Sequence, residues 1–565
     1  MSNFPNIDKY ERLSLDFETD GIDRHGLSKP VSAAICTWPG FKTHFFSWGH
    51  PLGNNCTQVQ FRDWAQIALR SKTISFVNPS FDLHMADKTG VNLEAIGVVP
   101  RCVQYKAALL NELRRDNTLN GLANEYLGIA KVDLDPKTIY TLPAQLVEEY
   151  TKKDALLTMM LDVKFELLLA KEGLLKVAKL EDDLIYSTAY MERQGARLNI
   201  PKLKRWRKEL IIAIDSLKKD VNVNVNSRKQ LEQWFKHMGA SNFGRTPSGD
   251  PSFSEDNLLL MRSLEGSKIA KAVDEVLKLR ATISILDKYV DKYLKEVGPD
   301  GVLHYNLHQC RNDENGTITG RYSASSVNIQ QVSAEEKQDE CTRTWIIREA
   351  FLPAKGFQWG SADASQIEFR LFAHYSNSTR LIRAYVENPN TDFHQEVSDM
   401  TGIIRKFAKN INFCKIYGGG PAKVAAMMRC SMDKALEFVG EYERRFPEAG
   451  TLMNQAMRIA RRRKYVKTLL GRRRRFPRGE RLHSALNAVI QGSAADIMKK
   501  KILEVYNRRK ELGFDPRFTV HDELDGDVEK GWDSSRLKKV LDEPAFDLKV
   551  PIPWEIKVGK NWRLK

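Results

Sequence analysis

The sequence predicts an α/β domain over residues 1–174, joined to a larger α+β unit over 175–565 that is dominated by helices. Three observations carry this. In the first stretch, apolar strand-like runs such as RLSLDFET and SKTISFVN alternate with helical runs, as in strands covered by helices. From about residue 175 the pattern turns strongly helical, through LEDDLIYSTAYMERQ, SLKKDVNVNVNSRKQLEQWFKHM and KIAKAVDEVLKLRATISILDKYVDKYLKEV. After 300, short β-like stretches, GFQWGSADAS and PRFTVHDELDGDV, flank a helical region predicted from about 378 to 512. The segment GASNFGRTPSGDPSFSED, rich in Gly, Ser and Pro, reads as a loop at a tip between helices.

Within the first unit, LSLDFETDG places Asp16 and Glu18 two residues apart on a strand, so both side chains project from one face. Like charges that close are costly unless a cation sits between them, and carboxylate oxygens suit Mg²⁺ or Mn²⁺. Alone, D-x-E is more often an exposed strand edge. Here FVNPSFDLH adds Asp82 after an apolar run, and EYTKKDALL adds Tyr150 and Asp154 four apart on one helix face.

In the second unit, WGSADASQIEFRLFAHYS puts Asp363 at the end of an apolar stretch, and RFTVHDELDGDV puts Asp522 and Glu523 in a short hairpin. Between them lies the helix containing NINFCKIYGGG. Its four-residue series Arg405, Lys409, Phe413, Tyr417 carries two cations and then two rings on one face. An ordinary half-buried aromatic stripe explains the rings but not the cations in register with them. Carboxylates for divalent ions and cations for a triphosphate are what phosphoryl transfer requires.

The three amino-terminal segments resemble the motifs of DnaQ-like 3′–5′ proofreading exonucleases, whose fold is RNase H-like. The carboxyl-terminal unit resembles family A, polymerase I-like DNA polymerases: DASQIEFRLFAHYS is similar to motif A, RKFAKNINFCKIYGG to motif B and VHDEL to motif C. TGRYSASSVNIQQV, IIREAFLP, DFHQEVS and NAVIQGSAADIMK match further family segments in the family's order. The resemblance implies a DNA-directed DNA polymerase with a right-hand polymerase domain: thumb at about 175–300, palm at about 300–378 and 512–565, fingers at about 379–511. It implies Asp16, Glu18, Asp82 and Asp154 as ligands of two Mg²⁺ ions, with Mn²⁺ able to substitute, and Tyr150 orienting water in two-metal hydrolysis. It implies Asp363 and Asp522, with Glu523 beside them, at a second two-ion site.

The same resemblance places Arg405, Lys409, His394 and Gln366 on the incoming nucleotide, Phe413 against its sugar, Tyr417 in the template pocket and Glu368 as steric gate against a ribose 2′-OH. Arg321, Gln491 and His521 fall along the primer end and minor groove, supported by Arg370 and Asn487. Donors there can test pair shape without reading sequence, because the minor-groove acceptors are shared among Watson–Crick pairs. The chain departs from the family at Cys414, Lys415, His483, Gln331 and Val332.

Composition agrees with a polyanionic partner. The 565 residues include 88 Lys or Arg against 72 Asp or Glu, a net charge of +16. Residues 458–481 hold twelve of those cations and one acid, Glu480, which reads as a phosphate-binding surface. The expected partners are primer-template DNA and dNTPs, with helicase, primase or single-strand-binding protein as further candidates. Seven scattered cysteines without a C-x-x-C pair argue against a zinc site or disulfide framework. No apolar run is long enough to span a membrane, and the start lacks a signal-peptide pattern. A monomer in the cytoplasm is expected, the host's if the gene is a phage's. The layout leaves no room for a 5′ nuclease domain and shows no thumb insertion for a processivity factor, which suggests a phage-like replicase. The alternatives are a stand-alone nuclease with a DNA-binding half, a single-subunit RNA polymerase and a non-catalytic binding protein. Intact Asp363, Lys409 and Asp522 count against the first, Glu368 and the nuclease motifs against the second, and two complete metal sites against the third.

Overall fold

The computed structural model describes residues 4–132, 134–241, 243–246, 248–311, 315–334, 340–428, 430–479 and 481–564. The amino-terminal unit is built on a five-stranded sheet of β1 (Arg12–Thr19), β2 (Pro30–Trp38), β3 (Thr43–Ser47), β4 (Thr73–Phe76) and β5 (Val99–Cys102), in the order β3-β2-β1-β4-β5. β1 pairs antiparallel with β2 and parallel with β4. Leu13, Leu15 and Phe17 of β1 are buried in one apolar core with Ile74 and Phe76. The alternate residues of β1 face the long helix Ala144–Glu172: the Ser14 hydroxyl donates to the Ala155 carbonyl at 2.6 Å. The period-two expectation for Asp16 and Glu18 therefore holds, and the helix that bears Tyr150 and Asp154 covers their face.

That helix is pinned to the sheet by a buried charge cluster. Asp162 accepts from Arg12 of β1, from Lys106 and, at 2.6 Å, from the Ser75 hydroxyl of β4. Burial alone would raise the Asp162 carboxyl; the two cations outweigh it and hold the group down at about 2.

Beyond residue 174 the chain is mostly helical. Helices Ile200–Asp220, Arg228–His237, Glu255–Leu264 and Ser267–Ile285 pack on one another, and the last continues through a π-turn, Leu286–Asp291, into Lys292–Glu296. The helical run expected through 216–238 breaks at 221–227, where Val221 and Val225 are buried and Ser227 caps the next helix. The described residues of the tip segment up to Ser254 form a loop, as expected, with a bridge between Arg245 and Pro251.

A four-stranded antiparallel sheet forms the floor of the larger unit, in the order Phe514–Val520, Glu523–Val528, Gln358–Ala364, Trp554–Gly559. Helices Thr379–Glu387, Phe393–Thr401, Arg405–Ile416, Met432–Arg445 and Pro447–Arg463 follow the strand that ends at Ala364. The helical region expected from 378 to 512 is not continuous. Tyr465–Lys467 and Arg473–Arg475 form a hairpin, entered through Lys464 at φ 63° and turned at Gly471 at φ 100°, before helix Ala485–Leu512.

That hairpin corrects the phosphate-surface reading of residues 472–475. Arg472 is buried, on Glu181 at 2.5 Å and Asp496 at 2.8 Å. Arg473 and Arg475 meet Glu172 at 2.8 and 2.6 Å, and Arg475 also meets Glu112 at 2.7 Å. These guanidiniums bind the amino-terminal unit and the long helix of the larger unit together. The exposed cations of the stretch are Arg458, Arg461, Arg462, Arg463 and Lys464 at the end of helix Pro447–Arg463, with Lys467, Arg478 and Arg481. Periodicity could not separate the two sets, because Glu181, Glu172 and Glu112, which partner the first, are hundreds of residues away.

Candidate active sites

The first site lies where β1, the start of helix Pro79–Thr89 and helix Ala144–Glu172 meet. Ligand oxygens of Asp16, Glu18 and Asp154 lie within 4.8 Å of one another. Asp82, in the first turn of helix Pro79–Thr89, is buried beside Asp16 and accepts from the Phe17 amide. Burial, and then the repulsion among these acids, pushes Asp16 and Asp82 well above the ordinary carboxylate range and Glu18 up to about 8. Tyr150, one turn before Asp154, is raised to about 12, first by burial and then by Asp154. One oxygen of Asp154, Oδ1, is buried without a hydrogen-bond partner. An all-oxygen donor set, crowded enough to disfavour its own ionisation and with an unpaired buried oxygen, fits a hard divalent cation such as Mg²⁺ or Mn²⁺. Lys131, which sequence reasoning passed over, enters this cluster: it forms an ion pair with Asp154, donates to the Tyr150 hydroxyl at 3.1 Å and stands 4.7 Å from the centre of its ring. An isolated Lys in a loop carries no periodic signal that would have marked it.

The second site stands on the four-stranded floor. Asp363 pairs in register with Glu523, and Val520 pairs with Glu523, so His521 and Asp522 form the two-residue turn between the strands, with His521 at φ 55°. Solvent reaches the Asp363 side chain, yet the surrounding cleft strips much of its hydration; this desolvation, then Glu523 and Asp522, pushes it up to about 7. Beside it opens a cavity of about 490 Å³ lined by Arg348, Ser361, Asp363, Glu523, Lys557 and Trp562. Glu523 accepts from Ser361 at 2.8 Å, from the Trp562 indole at 3.0 Å and from Arg348 at 3.1 Å. Its oxygens are thus engaged in holding the cleft wall, and Arg348 and Trp562 join the site from segments that sequence reasoning had given no role.

Facing the floor, a chain of polar contacts links four expected residues. Arg321 donates to Glu368 at 2.6 Å and to Asp522 at 3.2 Å, and the Tyr417 hydroxyl donates to the other oxygen of Glu368 at 3.1 Å. Gln491 bonds the same tyrosine, and Asn487 on the same helix has a buried, unpartnered Oδ1. Helix Arg405–Ile416 exposes Arg405 and Lys409 at its start; Arg405 lies 3.0 Å from Asp392, which caps helix Phe393–Thr401. Tyr417 is the residue that ends the helix, and its ring stacks 6.3 Å from that of Phe413. Phe413 rests against Phe369 at 4.9 Å and His394 at 5.6 Å. His394, held by Asn412 at 3.1 Å, is lowered to about 4, chiefly by burial, and so is neutral near pH 7. Gln366 takes a left-handed conformation, φ 50°, at the entry to helix Ile367–Ser376 and accepts from the Phe393 amide at 3.2 Å.

One expected surface residue is elsewhere. Arg370 is fully buried, donates to the carbonyls of Ser365, Pro551 and Pro389 at 2.7, 2.9 and 2.5 Å, and lies over the Tyr385 ring. Its three guanidinium nitrogens each staple a stretch of backbone, at Ser365, Pro551 and Pro389, instead of reaching DNA. Of the motif B departures, Lys415 forms an ion pair with Glu443 and Cys414 is buried, so both point away from the face that bears Lys409 and Phe413.

A carboxylate-bearing floor is faced by a helix of cations and rings, and residues 193–564, which carry both, match the family model for DNA polymerase family A. The chain belongs to that family. It is 29% identical to DNA polymerase DpoZ of Salmonella phage PMBT28, over 89% of this chain and 88% of that protein. It is 26% identical to DNA polymerase DpoZ of Vibrio phage phiVC8, over 99% of this chain and 96% of that one. Among solved structures it is similar to the POL domain of Pol1 from M. smegmatis in complex with DNA primer-template and dNTP. The TM-score is 0.84 at 23% identity, covering 98% of this chain and 96% of that one, which shows the fold. Among the described residues, no helix is long and apolar enough to cross a membrane.

Proposed function

We propose that this chain extends a DNA primer on a DNA template with dNTPs and removes misincorporated 3′ ends at a separate site. The observation that carries the reading is that one chain of family A brings together both carboxylate constellations, each on its own sheet. The phage relatives named DNA polymerase and the Pol1 complex with primer-template and dNTP support the first activity. The mixed sheet and its carboxylates support a DnaQ-type reading of the second.

At the polymerase site Asp363 and Asp522 would hold Mg²⁺, which supplies charge neutralisation and orients the reacting oxygens when bound. Arg405 and Lys409, one turn apart, meet the triphosphate as cations. Phe413 and Tyr417 offer flat apolar area to sugar and base. Glu368, fixed between Arg321 and Tyr417, occupies the place beside the sugar where a 2′-OH would have to fit. At the nuclease site Asp16, Glu18, Asp82 and Asp154 would hold the ions, and the Tyr150 hydroxyl orients water at the scissile phosphate.

The test is primer extension with dNTPs, alongside digestion of a single-stranded 3′ end. Asp363→Ala abolishes extension and spares digestion; Asp16→Ala with Glu18→Ala abolishes digestion and spares extension. Loss of both activities in either variant refutes two independent sites.

A further inference from the structure

Lys131 has no assigned part in either activity, yet it is the cation that reaches the nuclease carboxylates. It sits on the loop after helix Leu119–Leu127, where its amide donates to Asn120 Oδ1 at 3.1 Å. The next residue, Val132, packs against a small core of Ile139, Val147 and Tyr150. Backbone anchor and apolar anchor together aim the ammonium at Asp154 and Tyr150. Among the described residues, Asp154 is the one carboxylate of Asp16, Glu18, Asp82 and Asp154 in an ion pair.

Two turns further along the same helix, Asp162 shows what a purely structural pair looks like here. Both of its oxygens are engaged, by Lys106, Arg12 and Ser75. Asp154 is different: Lys131 takes Oδ2, Oδ1 is left buried and unpartnered, and one oxygen of the group lies within 4.8 Å of ligand oxygens of Asp16 and Glu18. The pair is half closed, and the carboxylate it half closes belongs to the oxygen cluster that fits a divalent ion.

We propose that Lys131 is a resident counter-cation of the nuclease site, neutralising the carboxylate cluster when no divalent ion is bound and competing with the ion for Asp154. It acts through Asp154 and Tyr150 and is therefore a positioning residue. When Asp154 turns to an ion, the Lys131 ammonium keeps the Tyr150 hydroxyl and the face of its ring. The inference rests on the nuclease reading of this cluster. Its physical content is that a fixed positive charge next to a cation site weakens cation binding, steeply at a few ångströms and low local dielectric.

The experiment is a Mn²⁺ titration of the full chain followed by electron paramagnetic resonance, with Asp16→Ala marking which bound ions belong to this site. Lys131→Met is expected to bind Mn²⁺ there at least about tenfold tighter than the wild type, and to melt at a lower temperature in EDTA. Lys131→Gln, neutral but polar, is expected to tighten binding likewise and stands in should the Met variant not fold. Lys131→Arg keeps the charge and should bind no tighter than the wild type. Unchanged or weaker Mn²⁺ binding in the neutral variants overturns the proposal while leaving the nuclease reading intact. Tightening in Lys131→Arg also overturns it, because space and not charge would then be responsible. Absence of any Asp16-dependent Mn²⁺ site in the wild type overturns the proposal and the nuclease reading together.

Discussion

Arg472 and the exposed arginines of helix Pro447–Arg463 belong to one basic run in sequence but should behave as opposites. Arg472 is buried between Glu181 and Asp496, both with side chains fully out of solvent. Arg472→Met removes the shared cation from two buried acids. Breaking a buried pair typically costs about 3–5 kcal/mol, because it leaves charge uncompensated. Here each acid keeps a partner, Lys499 at 2.6 Å and the Gln309 amide at 3.1 Å for Glu181 and the Thr468 hydroxyl for Asp496, which places the loss near the lower end, about 3 kcal/mol. Urea unfolding of wild type and variant measures it as a fall in the transition midpoint, with the affinity for primer-template at fixed salt little changed. Replacing Arg461, Arg462 and Arg463 by Gln should do the reverse. Their side chains are exposed at a helix end, so stability stays within about 0.5 kcal/mol. The slope of log affinity against log salt should flatten by roughly 0.9 for each DNA phosphate no longer neutralised. If Arg472→Met flattened the salt slope and left the unfolding midpoint unmoved, the assignment of Arg472 to buried structure would be wrong.

Glu368→Ala should raise ribonucleotide insertion far more than it alters dNTP insertion, because it empties the space held between Arg321 and Tyr417; equal effects in single-nucleotide kinetics would assign Glu368 to support of the cleft. Phe413→Tyr should raise the ratio of dideoxynucleotide termination to extension by orders of magnitude, since the added hydroxyl supplies a polar contact that a nucleotide lacking its 3′-OH cannot make for itself. An unmoved ratio would return Phe413 to the packing it shares with Phe369 and His394. Asp162 is held down at about 2 in the folded chain, so its contribution, about 3 kcal/mol, is complete above its unfolded value near 3.9 and disappears as pH falls through about 2. The stability gap between wild type and Asp162→Asn should therefore be constant above about pH 5 and close between pH 4 and 2; a gap that widens on acidification contradicts the ion-pair assignment.

The strand and helix positions of Asp16, Glu18 and Asp154, and the hairpin that carries Asp522 and Glu523, are legible in residue order alone. Alternation at period two sent Asp16 and Glu18 to one face of β1, and the four-residue spacing of Tyr150 and Asp154 kept them together on one helix. Those are local rules, and the motif order supplied the class, which the match over residues 193–564 bears out. The fate of the cations was settled by long-range packing. The resemblance sets Arg370 at the primer surface and the one-signed run sets Arg472 on a phosphate-binding one, but the one donates into backbone carbonyls and the other into buried acids. Lys131 lies 23 residues before Asp154 in a loop and gained its place from the packing of Val132. Whether a cation faces phosphate, carbonyl or carboxylate depends on which distant segment packs against it. Burial and ion pairing between remote residues are set by the fold as a whole, and no local period in the sequence encodes them.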